Sequence, residues 1–372
     1  MPPRPRLLHD WTIQMTTLLP HIRITQVRPL ALFVLGMLWA GRVSLRAVAA
    51  TLPLAVADAS IERRLHRWLR NEHVQVGPLW RGLLPWLLAS RAGQPVLLVL
   101  DPTPHNGDAT ILCLGIVCRR RILPVAWRVV RQKTHWPQPQ LTYLRAMFAE
   151  VAAALPPDCP VTLIGDRALP SAELVDAAGA VGWDVVFRLS ADARQGHTVR
   201  LPDGRVCPIW DLVTGPGQRR ASPVAIFKKA GWRSLHLTIH WGRDQDAPWL
   251  LLSTQPGGPA QVRAYRRRAH AEATYADCKT RGWNIEASRV TALDRLDRLL
   301  LVLHLVFWWA TQLGLRAIRQ GDRWRFDRAG RRDLSVIRIG RAALADGLDR
   351  TLHVPPLPFH RTPAGLVFTW LA

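Results

Sequence analysis

The pattern of apolar and polar positions changes near residue 93. Before that point, apolar residues recur at helical spacing through 29–52 and again in the segments IERRLHRWLRN and GPLWRGLLPWLLAS. This periodicity predicts a helical domain over residues 1–92. Residues 43–71 have the pattern of two short helices and a turn followed by an arginine-rich helix, which is compatible with a helix-turn-helix motif. An ordinary helical bundle with a solvated basic face explains the same pattern equally well.

From about residue 95 the apolar runs become short and predict strands. Three of them come in succession, and then helices alternate with strands: PVLLVLD, ATILCLGIVCRR, ILPVAWRVV, helix QLTYLRAMFAEVAAAL, strand VTLIGD, helix PSAELVDAAGAVG and strand WDVVFRLS. This order is typical of the mixed sheet of a ribonuclease-H-like α/β fold. Asp101 closes the first strand and Asp166 the fourth, so central strands lying side by side would bring the two carboxylates together.

Residues 191–258 are rich in turns and alternating segments, and LPDGRV carries an Asp-Gly hairpin signal. They predict a β-rich insertion, after which a helix bearing Glu272 returns to the core. Residues 291–320 predict a long core helix or helix pair. We therefore expect a helical DNA-binding domain at 1–92, a ribonuclease-H-like catalytic domain at 93–320 with the insertion at about 191–258, and a basic C-terminal tail region at 321–372, with helical structure after the core.

Composition narrows the class of partner. The 372 residues are 48% hydrophobic, enough for a real core, and their net charge of +23 favours a polyanion, nucleic acid before an acidic membrane surface. The five cysteines form no CxxC pair and no zinc-ligand spacing, so we expect reduced thiols in a cytoplasmic protein. The N-terminus lacks the pattern of an export signal, and the apolar runs 29–41 and 299–315 are short for membrane spans, which predicts core helices and no membrane.

Polar residues at spacings of three, four and seven mark the helix predicted after the insertion. At about 100° per residue, the side chains of Tyr265, Arg268, Glu272 and Lys279 fall within roughly 60° of one another and form one stripe. An Arg268–Glu272 pair is by itself an ordinary i,i+4 contact.

Three carboxylates on three separate elements, those of Asp101, Asp166 and Glu272, are the candidate chemistry. Each alone has an ordinary explanation in a turn or a helix cap. Together they offer the oxygen ligands that divalent magnesium prefers, and two such ions can activate the nucleophile and stabilise the leaving oxygen at a phosphodiester. Glu286 is an alternative third carboxylate, and Asp108 reads as a turn residue.

Arginines are the second candidate feature. A charge run is often only solvated, but the excess of positive charge over the whole chain favours phosphate contact. The expected track consists of Arg263, Arg266, Arg267, Arg268, Arg316, Arg319, Arg323, Arg325, Arg328, Arg331 and Arg332.

Three sequence blocks resemble the DDE transposases of the insertion-sequence-four family over roughly residues 95–315. They are LLVLDPT around Asp101, TLIGDRAL around Asp166, and the tyrosine, arginine, glutamate and lysine signature. The resemblance implies Asp101, Asp166 and Glu272 as the catalytic, metal-binding triad, with two Mg²⁺ ions for which Mn²⁺ can substitute. The second block departs from many relatives, which have a glycine and an aromatic residue after the arginine.

The resemblance also implies DNA-binding roles for Tyr265, Arg268 and Lys279, near the cleaved end. The partners would be double-stranded DNA, as element ends and as target, and a second copy of the chain in the active complex. In some relatives a tryptophan of the insertion stacks on a flipped base; Trp232, Trp241 and Trp249 are the candidates here, and core packing is the alternative role for each. A nuclease without strand transfer, or a transposase-derived DNA-binding protein without activity, stays an alternative at this stage.

Overall fold

Five helices form the N-terminal region. The computed structural model describes residues 3–132, 136–192, 196–279, 282–328, 330, 332–350, 360–362 and 365–367. The helices are α1 (Pro3–Leu18), α2 (Ile24–Ala40), α3 (Leu45–Thr51), α4 (Asp58–Arg70) and α5 (Val76–Leu88), followed by a 3₁₀ turn at Ala89–Arg91. One short helix, not two, precedes the arginine-rich α4. Helix α3 ends at Thr51 because Pro53 disfavours helical geometry at Leu52, which is extended.

The next segments build the central sheet. They are β1 (Val96–His105), β2 (Ala109–Cys118), β3 (Arg121–Arg131), α6 (Gln140–Ala154), β4 (Val161–Gly165), α7 (Ala172–Gly179) and β5 (Asp184–Leu189). The strand order is β3-β2-β1-β4-β5, with β1, β2 and β3 antiparallel and β1, β4 and β5 parallel. This is the arrangement of a ribonuclease-H-like core, so the predicted fold class is confirmed.

Strand β1 continues past Asp101, which lies inside the strand and does not end it as the sequence pattern suggested. The reason is that β2 keeps pairing with β1 as far as His105. Strand β4 stops at Gly165, and Leu100 pairs with Gly165 in parallel register. Asp101 and Asp166 each follow that pair by one residue, which places them side by side on neighbouring strands.

The segment after β5 is rich in β-structure and extends the same sheet. Its strands are β6 (Thr198–Arg200), β7 (Val206–Pro208), β8 (Arg219–Ile226), β9 (Arg233–His240) and β10 (Trp249–Ser253), with 3₁₀ turns at Ile209–Leu212 and Lys228–Ala230. Strand β10 pairs antiparallel with β5, and the order continues β10-β9-β8-β6-β7, giving ten strands among the described residues. The predicted hairpin joins β6 to β7, and Gly204 adopts the positive φ of 86° that its turn requires.

Helices complete the fold. They are α8 (Pro259–Arg266), α9 (Ala269–Cys278), a 3₁₀ turn at Ile285–Ser288, α10 (Leu293–Arg319), α11 (Arg323–Phe326) and α12 (Val336–Asp349); a small hairpin of β11 (His360–Thr362) and β12 (Gly365–Val367) follows. Part of the expected tail region is thus the folded helix α12. Of the expected arginine track, Arg331 lies outside the described residues.

Helix α10 is one long core helix, which is one of the two arrangements that the sequence predicted for residues 291–320. Within the described residues it is long and apolar enough to cross a membrane, and α2 with α3, bent by 93°, would meet the same criterion as a pair. The whole apolar stretch of α10 is buried inside the protein. Its burial agrees with the expected role of a core helix.

One hydrophobic cluster includes side chains from the N-terminal helices, the sheet and α10. The Trp11 ring packs 4.5 Å from that of Trp309, and the Trp80 indole N–H donates to the Val125 carbonyl of β3 at 2.6 Å. The buried Arg298 of α10 donates to the carbonyl oxygens of Leu69 and Val74. The N-terminal helices therefore share a core with the sheet, and the domain boundaries stay a prediction.

Candidate active site

The helix predicted to carry the polar stripe is broken into α8 and α9. The N–H groups of Arg267 and Arg268 bond only three residues back, to Ala264 and Tyr265. Helix α8 packs against β5, β9 and β10, whereas α9 packs against β3 at the opposite edge of the central strands. A chain that follows both contacts has to bend between them, and the bend lies where β1 and β4 bring the two aspartates.

Arg268, at this bend, contacts all three predicted carboxylates. Its Nη2 lies 3.1 Å from Asp101 Oδ1 and 3.0 Å from Asp166 Oδ2, and its Nη1 lies 2.7 Å from Glu272 Oε1. Since the two aspartate oxygens share one nitrogen, they are at most about 6 Å apart. Folding thus gathers residues from β1, the end of β4 and α9 around a single guanidinium.

Burial and charge set the protonation of this cluster. Burial raises the pKa of Asp101 to about 6, although the positive charge of Arg268 acts in the opposite direction. Burial would lower the pKa of Arg268, but the negative charges of Asp166 and Asp101 outweigh it and raise that pKa. Arg268 therefore stays a cation, and its charge offsets part of the repulsion among three acids.

Tyr265 supports the second aspartate. Its hydroxyl donates to Asp166 Oδ1 at 3.0 Å, and its ring, which is 4% exposed, meets the Trp249 ring edge-on at 5.1 Å. Burial, followed by the charge of Asp166, raises the pKa of Tyr265 to about 12. In this structure Tyr265 orients Asp166 and Trp249 packs against Tyr265, while a DNA contact for Tyr265 stays a prediction.

Lys279 does not join the other three members of the stripe. It follows the end of α9, and its Nζ donates to the Pro104 carbonyl at 3.3 Å and pairs with Glu286 Oε1 at 3.2 Å. The alternative third carboxylate, Glu286, is thus engaged by Lys279 instead of Arg268. The sequence spacing correctly grouped Tyr265, Arg268 and Glu272 and wrongly extended the group to Lys279.

Two supporting residues of α9 were not predicted from the sequence. The Tyr275 hydroxyl donates to the Asp101 carbonyl at 3.0 Å, and Thr274 bonds both the N–H and the carbonyl of Ile122 on β3. They fix α9, and so Glu272, relative to the strands that carry the aspartates. The buried Ala271 and Thr274 at helical spacing, followed by the half-buried Cys278, were the available signal.

The donor set fits a hard divalent cation, because all three side chains offer carboxylate oxygens. Within the described residues, however, no three acidic, histidine or cysteine side chains are grouped closely enough to hold an ion as they stand. The physical reason is that the Arg268 guanidinium lies between the carboxylates. The Glu272 side chain is 65% exposed and contacts Nη1 of Arg268, whereas the two aspartates contact Nη2.

Residues 140–309 match the family model described as a transposase DDE domain. The matched range contains Asp166 and Glu272 and begins after Asp101. The match supports a transposase of the DDE type. It does not distinguish the insertion-sequence-four family from other DDE transposases.

The chain is also similar to a solved structure, the cryo-EM structure of a piggyBac transposase synaptic complex with hairpin DNA. The identity is 10% and the TM-score 0.41, over 94% of this chain and 80% of that one. No curated protein matches the chain.

Proposed function

We propose that the protein is a DNA transposase of the insertion-sequence-four type that cuts element ends and joins them to target DNA. The observation that carries the proposal is the convergence of Asp101, Asp166 and Glu272 on one guanidinium, within a fold of the ribonuclease-H type. The match to a transposase DDE domain supports the reaction class. The net charge of +23 suits a DNA partner.

The proposed metal ligands are Asp101, Asp166 and Glu272. Two Mg²⁺ ions, or Mn²⁺ in their place, would supply Lewis acidity and a nucleophile at neutral pH. The chain itself holds the aspartates on adjacent strands, orients Asp166 through Tyr265 and fixes α9 through Thr274 and Tyr275. Arg268 neutralises the carboxylates and, with Tyr265 and Lys279, is proposed to contact the DNA backbone.

The test is Mg²⁺-dependent cleavage of a labelled duplex taken from the DNA on either side of the gene, where the element ends would lie. We expect Asp101→Asn and Glu272→Gln each to lose more than about 100-fold in cleavage, since even indirect supports of a metal site are worth 10–100-fold. Duplex binding should be largely retained. Asp108→Asn, which removes an exposed carboxylate from the nearby β1–β2 turn, is the matched control and should cleave normally. Undiminished cleavage in both site variants would disprove the triad.

Incubation of the cut ends with a target plasmid separates the remaining functions. Joined products support a transposase, and cut ends that never join identify a nuclease. A shifted duplex with neither product identifies a DNA-binding protein without activity. A homodimer across two ends is the proposed active species, testable by the stoichiometry of the protein–DNA complex, and the proposed location is the cytoplasm.

A further inference from the structure

A second cluster of positive charge lies on the other side of α8 from the carboxylates. A cleft of about 420 Å³ opens between α8 and the strands β8 and β9, a volume in the range of small-ligand sites. Its polar lining comes from both walls: Arg219, Arg220, His240, Arg263 and Arg266. We call this feature the arginine cleft.

The positions of these residues follow from the sheet and the helix. Arg219 pairs with His240 in the antiparallel register of β8 and β9, so the two side chains stand on the same face. Arg263 and Arg266 are three residues apart on α8 and share its exposed side. Burial lowers the pKa of His240, and the charges of Arg266 and Arg219 lower it further, which agrees with both guanidinium groups lying near this imidazole.

The charge of the cleft is not compensated. None of its four arginines forms an ion pair with a carboxylate of the described residues, although many other arginines do. Among the described residues, no aspartate or glutamate lines the cleft. Exposed arginines on both walls of one cleft, without a counter-charge, favour a bound polyanion.

The lining also indicates which part of a nucleic acid the cleft fits. Apart from the His240 imidazole, its described residues offer no aromatic ring on which a base could stack. Guanidinium groups without a stacking partner suit phosphate and sugar contacts, which position a strand and carry no sequence information. A free nucleotide would gain little from the cleft beyond its phosphate.

The cleft adjoins the active site. Helix α8 presents Tyr265 to Asp166 on one side and Arg263 and Arg266 to the cleft on another. The helix is roughly 10 Å across, and phosphates of one strand recur about every 3.4 Å along a duplex axis. The cleft is therefore within reach of phosphates a few nucleotides from a phosphodiester bound at the carboxylates.

We propose that the arginine cleft binds the phosphodiester backbone of the DNA substrate a few nucleotides from the bond that is cut. This assignment rests on the proposed function and adds a positioning surface to it. The contact is sequence-independent, and each phosphate bound there releases counterions, so its contribution falls as salt rises.

The experiment measures binding of a labelled random-sequence duplex by fluorescence anisotropy over a series of salt concentrations. The cleft variant is Arg263→Gln with Arg266→Gln, and Arg219→Gln with Arg220→Gln tests the opposite wall independently. The matched control is Lys228→Gln with Lys229→Gln, which removes the same charge from the far end of the β8–β9 hairpin. Circular dichroism and thermal unfolding establish that each variant is folded.

We expect each cleft variant to lower the slope of log affinity against log salt by roughly 1 to 2, and low-salt affinity by about tenfold or more. The control variant should change the salt slope and the low-salt affinity much less. Equal effects of the cleft and control variants would overturn the assignment of the cleft. Displacement of the duplex by deoxyadenosine monophosphate, lost in the cleft variants, would overturn it in favour of a free nucleotide.

These outcomes also separate the cleft from the proposed function. If the wild-type protein binds and cuts DNA while the cleft variants behave like the control, only the cleft assignment fails. If the wild-type protein shows no salt-dependent duplex binding, both proposals fail.

Discussion

At the scale of single residues, Arg268 organises the candidate site. Its side chain is 20% exposed and lies against the buried Asp101, the partly buried Asp166 and the exposed Glu272. Removal of one partner from a buried ionic cluster leaves the others uncompensated. The same guanidinium would compete with any divalent cation for the aspartate oxygens.

The first prediction concerns Arg268→Gln. We expect the free energy of unfolding without metal to fall by on the order of 2 kcal/mol, because Asp101 and Asp166 lose their cation. Added Mg²⁺ should then raise the melting temperature more in the variant than in the wild type, since no guanidinium opposes binding. Thermal unfolding with and without Mg²⁺ measures both effects.

Arg267→Gln is the control for this prediction. Arg267 is adjacent and exposed, and no carboxylate of the described residues pairs with it. This change should leave the free energy of unfolding and the Mg²⁺-induced rise in melting temperature near their wild-type values. A metal-induced rise in Arg268→Gln that equals or falls below that of the wild type would contradict the competition between Arg268 and the ion.

The second prediction concerns pH. Asp101 has a pKa of about 6 in the metal-free protein, and a carboxyl group must lose its proton to bind a metal ion. Affinity for Mn²⁺ should therefore be constant well above that value and decline as the pH falls through it, toward about tenfold per pH unit. Isothermal titration calorimetry over this range measures the decline, and a flat profile across the pKa would argue against Asp101 as a ligand.

At the scale of elements, regular structure was largely predictable and the bend in the site was not. The alternating and apolar runs correctly predicted β1 to β5, α6, α7 and α10, because each buries one face or both. The break between α8 and α9 depends on which strands the two helices pack against, and local spacing contains no such information. The contact of Arg268 with Asp101 joins residues 167 positions apart, so the sequence showed only its i,i+4 partner Glu272.

The third prediction concerns the crossing of α10 and α12. A Cβ added at Gly340 would lie 1.8 Å from the Ala310 carbonyl oxygen, so the two helices can approach this closely only through glycine. Gly340→Ala should lower the free energy of unfolding by on the order of 1–3 kcal/mol, despite the better helix propensity of alanine. Chemical denaturation measures the loss.

Gly179→Ala is its control, because no atom lies within 4 Å of the added Cβ at the end of α7. That variant should be as stable as the wild type or slightly more so. Equal stabilities for the two alanine variants would show that α10 and α12 can separate at little cost.

At the scale of the whole molecule, α10 joins the N-terminal helices to the sheet. Its Trp309 packs against Trp11, its Trp308 donates to the Pro124 carbonyl of β3, and its Arg298 bonds the end of α4 and the segment that follows it. The fourth prediction is that residues 1–92 and the sheet unfold in one calorimetric transition. A separate, earlier transition that disappears when residues 1–92 are removed would instead show an independent N-terminal domain.

The central claim is that Asp101, Asp166 and Glu272 form one divalent metal site. Anomalous diffraction from crystals soaked in Mn²⁺ tests it most directly. We predict an anomalous peak in contact with the carboxylates of Asp101 and Asp166, with Arg268 no longer bridging the two. Peaks only elsewhere, with the guanidinium of Arg268 still bound to both aspartates at saturating Mn²⁺, would contradict the claim.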